Sequence, residues 1–451
     1  MTMIKKTSRR NFIKASTFSA AALTVGGVLP GFSARSYRNI AGANERILVG
    51  MVGVNNRGSA LAGTFAALKQ CQINYISDTD SRALARCVDK VARLQSAAPR
   101  AQPDFRKVLE QQDVDVMVIA TPDHWHAPAA LLALQAGKHV YLEKPCSHNP
   151  KEGEMLIASV KKHKRLIQMG NQRRSWPNVM EAIRELHSGI IGKTYFARTW
   201  YANSRKPIGT GKPAPVPEWL NYDLWQGPAP RKPYIDNRIH YNWHWFWHWG
   251  TGEALNNGTH MVDLARWGLQ VDYPTKVTST GGRYFFTDDW QTPDTQTIGL
   301  EFGNKCAITW EGRSANGRHS EGSSVGVVFF GEKGTLQINS DDGYQVYSLD
   351  NKRVKDVKSK VTVNATDTSN PAGILDGLHV QNLFDGIKKG TALNSDIESG
   401  YISTLLVQLG NIAQRTSGVL NTNPQNGHIL NNAAAEKLWG RTYEKGWEPA
   451  V

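Results

Sequence analysis

A short apolar run from Arg46 to Val52 ends on Gly53-Val54-Asn55-Asn56-Arg57-Gly58, and a helical pattern from Ser59 to Leu68 follows. Glycine at a strand-to-helix turn lets the backbone bend and approach a pyrophosphate. The helix N-terminus then faces the phosphate with free N–H groups and a positive dipole end. The usual pattern is GxGxxG. Here Asn55 stands at the middle glycine, and asparagine tolerates positive φ best among non-glycine residues, so the turn is expected to survive. Gly53, Asn55, Asn56, Arg57 and Gly58 are therefore candidate cofactor contacts. A second strand, Gln72 to Ser77, ends at Asp78, 20 residues after Gly58. An acid there accepts hydrogen bonds from both ribose hydroxyls of an adenosine and repels a 2′-phosphate, which favours NAD over NADP. Arg82 is close enough in sequence to keep NADP open.

Residues 240–249 read His-Tyr-Asn-Trp-His-Trp-Phe-Trp-His-Trp. His244 and His248, at i and i+4, would suit a metal if the segment were helical, but no HExxH pattern accompanies them. An aromatic core seam and a carbohydrate pocket are the competing readings. The pocket is preferred, with Trp245 and His248 as contacts, and no metal site is expected. Cys71, Cys87, Cys146 and Cys306 form no CxxC pair and no zinc spacing. They read as buried free thiols, with one disulfide left open.

The elements that must position these residues alternate regularly. Helices are expected over 80–95, 104–111, 127–136 and 151–163, and strands over Asp115–Ala120, His139–Leu142 and 166–169. Alternation of this kind predicts a doubly wound parallel sheet, a Rossmann domain over 46–169. Ligands bind beyond the carboxyl ends of such strands, which gathers the loops 53–58, 121–126 and 143–146. From 170 to 451 the pattern changes to α+β. Thr295–Phe302, Cys306–Gly312, Val325–Phe330 and Gly334–Ile338 have periods near 2, as in a mostly antiparallel sheet with one covered face. Helical patterns return over 373–418, and a short helix is expected at 431–439.

Thr121-Pro122-Asp123-His124-Trp125-His126 follows one strand, Glu143-Lys144-Pro145 follows the next, and Asn256-Asn257-Gly258-Thr259-His260 comes later. With the glycine turn and Asp78, this set resembles the Gfo/Idh/MocA family of sugar and polyol oxidoreductases over nearly all of the chain after residue 45. The resemblance implies a C-terminal domain whose large open sheet covers a nicotinamide, hydride transfer at a sugar or polyol carbon, and a cis Lys144–Pro145 bond. It implies that Thr121, Pro122, Trp125, His126, Glu143, Lys144, Asn171 and Gln172 contact the cofactor, with Lys144 near the reacting hydroxyl. A lysine beside a cationic ring has its pKa lowered and can move a proton, or it can orient the hydroxyl by hydrogen bonding. Tyr201 is a further substrate-side candidate. Arg173 is either a substrate contact or, like Arg174, an inter-domain salt bridge. In the family an acid lies four residues before the histidine; here it is Asn256, which orients a hydroxyl but takes no proton. The acid–base work then falls on Lys144, His260 or Glu253, with Asp263 either orienting His260 or capping its helix.

The expected substrate is a small sugar or glycoside, with keto-sugar formation at C3 as one specific reaction. A redox-assisted NAD-dependent glycosidase using Tyr201, His260 and Lys144 is an alternative, and a non-catalytic sugar-binding protein is another. Relatives imply a homodimer or homotetramer. At 451 residues, with 40 % apolar residues and a mean hydropathy of −0.43, the chain suits two folded domains. No apolar run after residue 30 approaches the roughly 20 residues that span a bilayer. Ser8 to Lys14, with Arg9 and Arg10, precedes an Ala-rich apolar stretch and small residues near Ala34. It resembles a twin-arginine export signal over 1–34, followed by a linker over 35–45, and implies a periplasmic or otherwise exported protein. Removing the five cations of that segment from the net charge of +14 leaves +9. Without a basic stripe or a known module, that charge does not indicate nucleic acid. Export of a folded protein requires its dinucleotide to be loaded beforehand and held tightly.

Overall fold

The computed structural model describes residues 46–361, 363, 372–416 and 418–451. The signal and linker expected over 1–45 lie outside the described residues. The first sheet has six parallel strands: β1 (Ile47–Val52), β2 (Cys71–Ser77), β3 (Arg100–Gln102), β4 (Val116–Ile119), β5 (His139–Leu142) and β6 (Ile167–Met169). Their spatial order is β3-β2-β1-β4-β5-β6. The order reverses beside β1, which opens a crevice at the carboxyl ends of β1 and β4. The continuous apolar runs of β1 and β4 suit strands covered on both faces.

Connecting helices are α1 (Arg57–Ala66), α2 (Ser81–Ala92), α3 (Phe105–Leu109), α4 (Asp123–Gln135) and α5 (Pro150–His163). The carboxylate of Asp80 caps α2 by accepting from the backbone N–H groups of Arg82 and Ala83. Asn149 caps α5 likewise, with Pro150 in its first turn. The helix expected from 127 starts at Asp123 instead. Pro122, at φ −59°, supplies its N-cap, and Asp123 complements the dipole of the first turn. His124, Trp125 and His126 are therefore helical, not loop, residues.

The second sheet holds ten strands: β7 (Thr194–Ala202), β8 (Lys276–Gly282), β9 (Thr295–Glu301), β10 (Ala307–Arg313), β11 (Val325–Gly331), β12 (Gly334–Ile338), β13 (Tyr344–Ser348), β14 (Arg353–Val357), β15 (Val419–Thr422) and β16 (Ile429–Leu430). Its order is β14-β13-β12-β11-β7-β10-β9-β8-β15-β16, parallel between β7 and β10 and antiparallel elsewhere. Alternate residues of β9 and β10 are buried, so one face is covered. The remaining helices are α6 (Pro177–His187), α7 (Tyr222–Gln226), α8 (Thr259–Leu269), α9 (Ile374–Lys389), α10 (Ile397–Arg415) and α11 (Ala433–Glu436). Helices α8 and α10 pack on the covered face.

Helix α9 returns to the first sheet. Its Val380, Leu383 and Phe384 share a core with Leu61 and Phe65 of α1 and Tyr141 of β5, and Phe65 meets both aromatic rings edge-on. The four cysteines are free thiols, three of them buried. Among the described residues no helix is long and apolar enough to cross a membrane.

Candidate functional site

The loops after β1, β4 and β5 open into one cleft of about 1700 Å³, counted out to solvent. Gly53, at φ +79°, makes the turn; a Cβ there would lie 2.7 Å from the Ala120 carbonyl. A Cβ on Gly58 would lie 1.9 Å from the Gly53 oxygen. Asn55 does not use its tolerance of positive φ. Its side-chain oxygen accepts from Arg86 Nη2 at 3.0 Å instead, so a side chain is accommodated because it leaves the turn sideways. Asn56 is the N-cap of α1 and makes no side-chain cap, which leaves the first-turn N–H groups free for an anion.

Asp78 is buried at the end of β2 and accepts from Val54 N (2.6 Å) and Asp80 N (2.9 Å). Burial raises its carboxyl, against the pull of those two N–H groups. Arg82 is committed elsewhere: it pairs with Asp80 and lies 3.4 Å over the Trp219 ring. A glycine cradle that a Cβ would close, a bare helix N-terminus, and the buried unpartnered Thr121 Oγ1 and Asn171 amide together fit a bound dinucleotide.

Arg57 lines the cleft with its guanidinium paired. Its Nε bonds Glu143 at 2.8 Å and its Nη1 bonds Asp376 of α9 at 2.9 Å. Burial opposes ionisation of Glu143, but Arg57 and Lys144 outweigh it and hold the carboxyl below its usual value. The Gln172 amide accepts from Arg57 Nη2 at 3.3 Å and donates to the Gly170 carbonyl. His126 braces the two loops: Nδ1 lies 2.6 Å from the Pro145 carbonyl and Nε2 2.8 Å from that of Thr121. Trp125 donates to the carbonyls of Leu224 and Trp225. Pro122 and Trp125 line the cleft, as do Thr121, His126, Glu143, Lys144, Gln172 and Arg173, whereas Asn171 lies just outside it.

The Lys144–Pro145 bond is cis. Lys144 Nζ donates to the Asn256 carbonyl (2.7 Å) and to Asn256 Oδ1 (3.0 Å). That carbonyl is available because Ala254–Gly258 is a π-turn preceding α8, and such a turn shifts the helical ladder by one residue. Burial lowers the Lys144 amine, against the attraction of Glu143 and Asp123. Burial, and then the neighbouring Lys144, pushes His260 far below its usual pKa, so the ring is neutral and its buried Nδ1 has no partner. A neutral imidazole and a lowered amine at one end of a cleft can exchange a proton with a hydroxyl between them.

Several sequence-stated roles change. Asp263 neither orients His260 nor caps a helix; it holds Arg174 through two 2.8 Å bonds and accepts from Ser403 Oγ. Arg173 clamps the carbonyls of Asn339, Ser340 and Asp341, and burial lowers its pKa to about 10. Glu253 is locked by Arg205, at 2.5 and 3.1 Å, and by Asn257 Nδ2, so it is no free acid–base group. Trp245 stacks on Trp290 at 3.8 Å in a separate core. His248 bonds the Pro230 carbonyl, and burial lowers it to about 4. The 240–249 segment forms only a short 3₁₀ turn, Asn242–Trp245, so His244 and His248 lack the helical spacing a metal pair would need. His244 bonds the Tyr241 carbonyl and stacks on Trp243 at 3.5 Å. Tyr201 lines the cleft, its hydroxyl accepting from Asn203 Nδ2 at 2.7 Å, and burial raises its pKa.

Residues not singled out from sequence, and His244 in a role other than the metal pairing considered for it, complete the site. Tyr241, Trp243 and His244 form the aromatic wall that was assigned to Trp245 and His248; dense aromatics marked the segment, but not which rings face inward. Tyr241 sits at φ +74° with its hydroxyl 2.9 Å from Arg205 Nη1. Asp123, raised by burial, accepts from Thr251 Oγ1 at 2.5 Å. Asp376 and Arg205 had no local signal, because their partners are remote in the chain.

Comparison with known proteins agrees with this geometry. A model described as an oxidoreductase family with an NAD-binding Rossmann fold matches residues 47–171, and one for that family's C-terminal α/β domain matches 158–341. A glycosyl hydrolase family 109 protein of Saccharopolyspora erythraea is 30 % identical over 51 % of this chain and 55 % of its own length. One from Shewanella baltica is 26 % identical, covering 43 % and 45 %. The match thus spans about half the length of these curated relatives. Among solved structures, levoglucosan dehydrogenase in complex with NADH and levoglucosan aligns with a TM-score of 0.64 at 18 % identity, over 83 % of this chain and 99 % of that one. The WlbA dehydrogenase from Bordetella pertussis, in complex with NADH and UDP-GlcNAcA, aligns with a TM-score of 0.61 at 18 % identity, over 84 % and 99 %. With both of its family's domains matched in order, this chain belongs to the Gfo/Idh/MocA oxidoreductase family.

Proposed function

We propose that this protein oxidises a hydroxyl-bearing carbon of a sugar or glycoside, with NAD held throughout turnover. The observation that carries the reading is the placement of Lys144 Nζ, buried and lowered, beside neutral His260 where the dinucleotide cradle meets an aromatic wall. When bound, the dinucleotide supplies the acceptor and donor of hydride. Lys144 takes the hydroxyl proton as the carbon is oxidised and returns it on reduction. Asn256 holds the amine in place through two acceptors. Tyr241, Trp243 and His244 offer ring faces to the apolar face of a sugar. Asp78 favours NAD over NADP, and Arg82 is too committed to Asp80 and Trp219 to receive a 2′-phosphate.

C3 of a glycoside is the first carbon to test. The twin-arginine-like segment adds that the protein is exported with its cofactor loaded, and a homo-oligomer built on the open sheet belongs to the same reading. The purified protein, once denatured, is expected to release about one equivalent of NAD. Native protein mixed with a glycoside panel is expected to develop reduced-nicotinamide absorbance. A protein that takes up no dinucleotide overturns the proposal.

A second reading is favoured by the curated relatives, which are named for glycoside hydrolysis. Oxidation at C3 acidifies the C2–H; a base removes that proton, and the aglycone leaves C1 with its bonding pair. Water would then add at C1, and the alcohol at C3 would be restored by hydride from the bound dinucleotide. Lys144, His260 and Tyr201 are the residues at hand for the proton transfers. Aglycone release with no net change in cofactor redox state selects this route; accumulation of keto-glycoside selects the first.

A further inference from the structure

We infer that the excursion between β7 and the π-turn is a strap that retains the dinucleotide, latched over its adenosine half by Trp219, Arg82, Asp80 and His240. This rests on the reading that a dinucleotide occupies the cleft. The acid closing β2, Asp78, marks the ribose of the adenosine half. The chain just beyond that acid is bound to the second domain, not left open to solvent. Ser81 N donates to the Trp219 carbonyl at 2.9 Å, and Asn221 N donates to the Thr79 carbonyl at 2.9 Å. Between them Asp80 and Leu220 form an antiparallel bridge.

Side chains reinforce this patch. The Asp80 carboxylate takes His240 Nε2 at 2.8 Å as well as Arg82, and Arg82 lies over the Trp219 ring at 3.4 Å. His240 stacks along the same ring. A few residues further along, the strap is pinned again, where Trp125 and His124 of α4 bond the carbonyls of Leu224 and Trp225. From the strap Trp225, His240 and Tyr241 line the cleft together with Gly53, Asp78 and Thr79. On this inference a ligand whose ribose meets Asp78 lies beside Thr79 and His240, next to the bridge, and opening of the bridge speeds its release. The latch residues are positioning residues: Trp219 and Arg82 act on the dinucleotide by holding the strap closed.

The test uses the full chain loaded with NADH and diluted into excess NAD, with release followed by nicotinamide fluorescence. Trp219→Ala and Arg82→Ala are expected to release NADH about tenfold faster than the unaltered protein, the scale of losing one cation–π contact together with a charge-assisted hydrogen bond. Thermal unfolding midpoints should stay near those of the unaltered protein, and Trp219→Phe should restore most of the slow release. Release at the unaltered rate from both alanine variants overturns the latch while leaving the proposed function standing. An unaltered protein that binds no NADH overturns the proposed function and the latch together. If Trp219→Ala lowers the unfolding midpoint, the comparison passes to Arg82→Ala, whose side chain is half exposed.

Discussion

The two ends of the cleft are built on different principles. At the dinucleotide end the ligand-facing groups are mostly backbone: two glycines, a bare helix terminus, and an acid held by N–H groups. Each belongs to a segment of a few residues. At the sugar end the groups are side chains held by remote partners. Lys144 is held by Asn256, Tyr241 by Arg205, Arg205 by Glu253, and Glu143 by an arginine that also reaches Asp376. Cofactor geometry is thus a local property of strand-to-helix turns. Substrate geometry is a property of buried side-chain networks whose members lie far apart in the chain.

The comparison breaks most sharply at Lys144. Lys144→Ala should lower kcat by about 10³-fold, within the usual range for a lost general acid–base group, while bound NAD is retained. Retention is read from dinucleotide released on denaturation. Turnover near the unaltered rate would remove Lys144 from the chemistry.

Next in size is Arg205→Ala. It strands Glu253 in a buried position and should cost about 3–5 kcal/mol of stability, measured by chemical denaturation. Sugar binding should suffer and dinucleotide binding should not. Equal losses at both ends would mean that the two halves are not separable.

Acid stability sharpens the comparison further. His379 of α9 is neutral in the fold, donating from Nε2 to the Met169 carbonyl and accepting at Nδ1 from Ser175 Oγ, and burial lowers it to about 4. Its unfolded value is about 6.5. The unfolded chain therefore binds the proton first, and stability falls as pH drops from 6.5 to 4. Two and a half units correspond to about 3.4 kcal/mol at most. His379→Gln should be less stable at neutral pH and lose less on acidification, as seen in unfolding midpoints across that window. An unchanged pH slope would assign the acid sensitivity to other groups.

The smallest effect is expected at Asn55. Because its φ is not positive, Asn55→Gly gains no relief of strain and loses the bond from Arg86. NAD affinity should change less than threefold, about 0.6 kcal/mol. A large gain in affinity would show that the middle position of the turn is strained after all.

The parallel sheet, five of its six strands to within a residue or two, and the convergence of the three loops were legible in the sequence, because buried parallel strands and their turns are encoded by contiguous apolar runs and glycines; the short β3, Arg100–Gln102, has no apolar run and was missed. So were strands β9 to β12, of which β9 and β10 keep the alternation in their burial. The start of α4 was misplaced, since Pro122 and Asp123 signal a turn and a helix N-terminus equally well. Within 240–249 the aromatic density was visible but its facing was not: a segment without regular periodicity gives no rule for which ring turns inward. Trp245 and His248 were therefore named where Tyr241, Trp243 and His244 line the cleft.

Sequence by itself determined the nucleotide fold, the family motifs, and Lys144 as the residue at their centre. Only the tertiary structure decided what each charge does. Glu253 is spent on Arg205, Asp263 on Arg174, and Arg57 on Glu143 and Asp376. A buried charge must find its partner wherever the fold brings one within hydrogen-bond reach, and for Arg57 and Asp376 those positions are 319 residues apart along the chain.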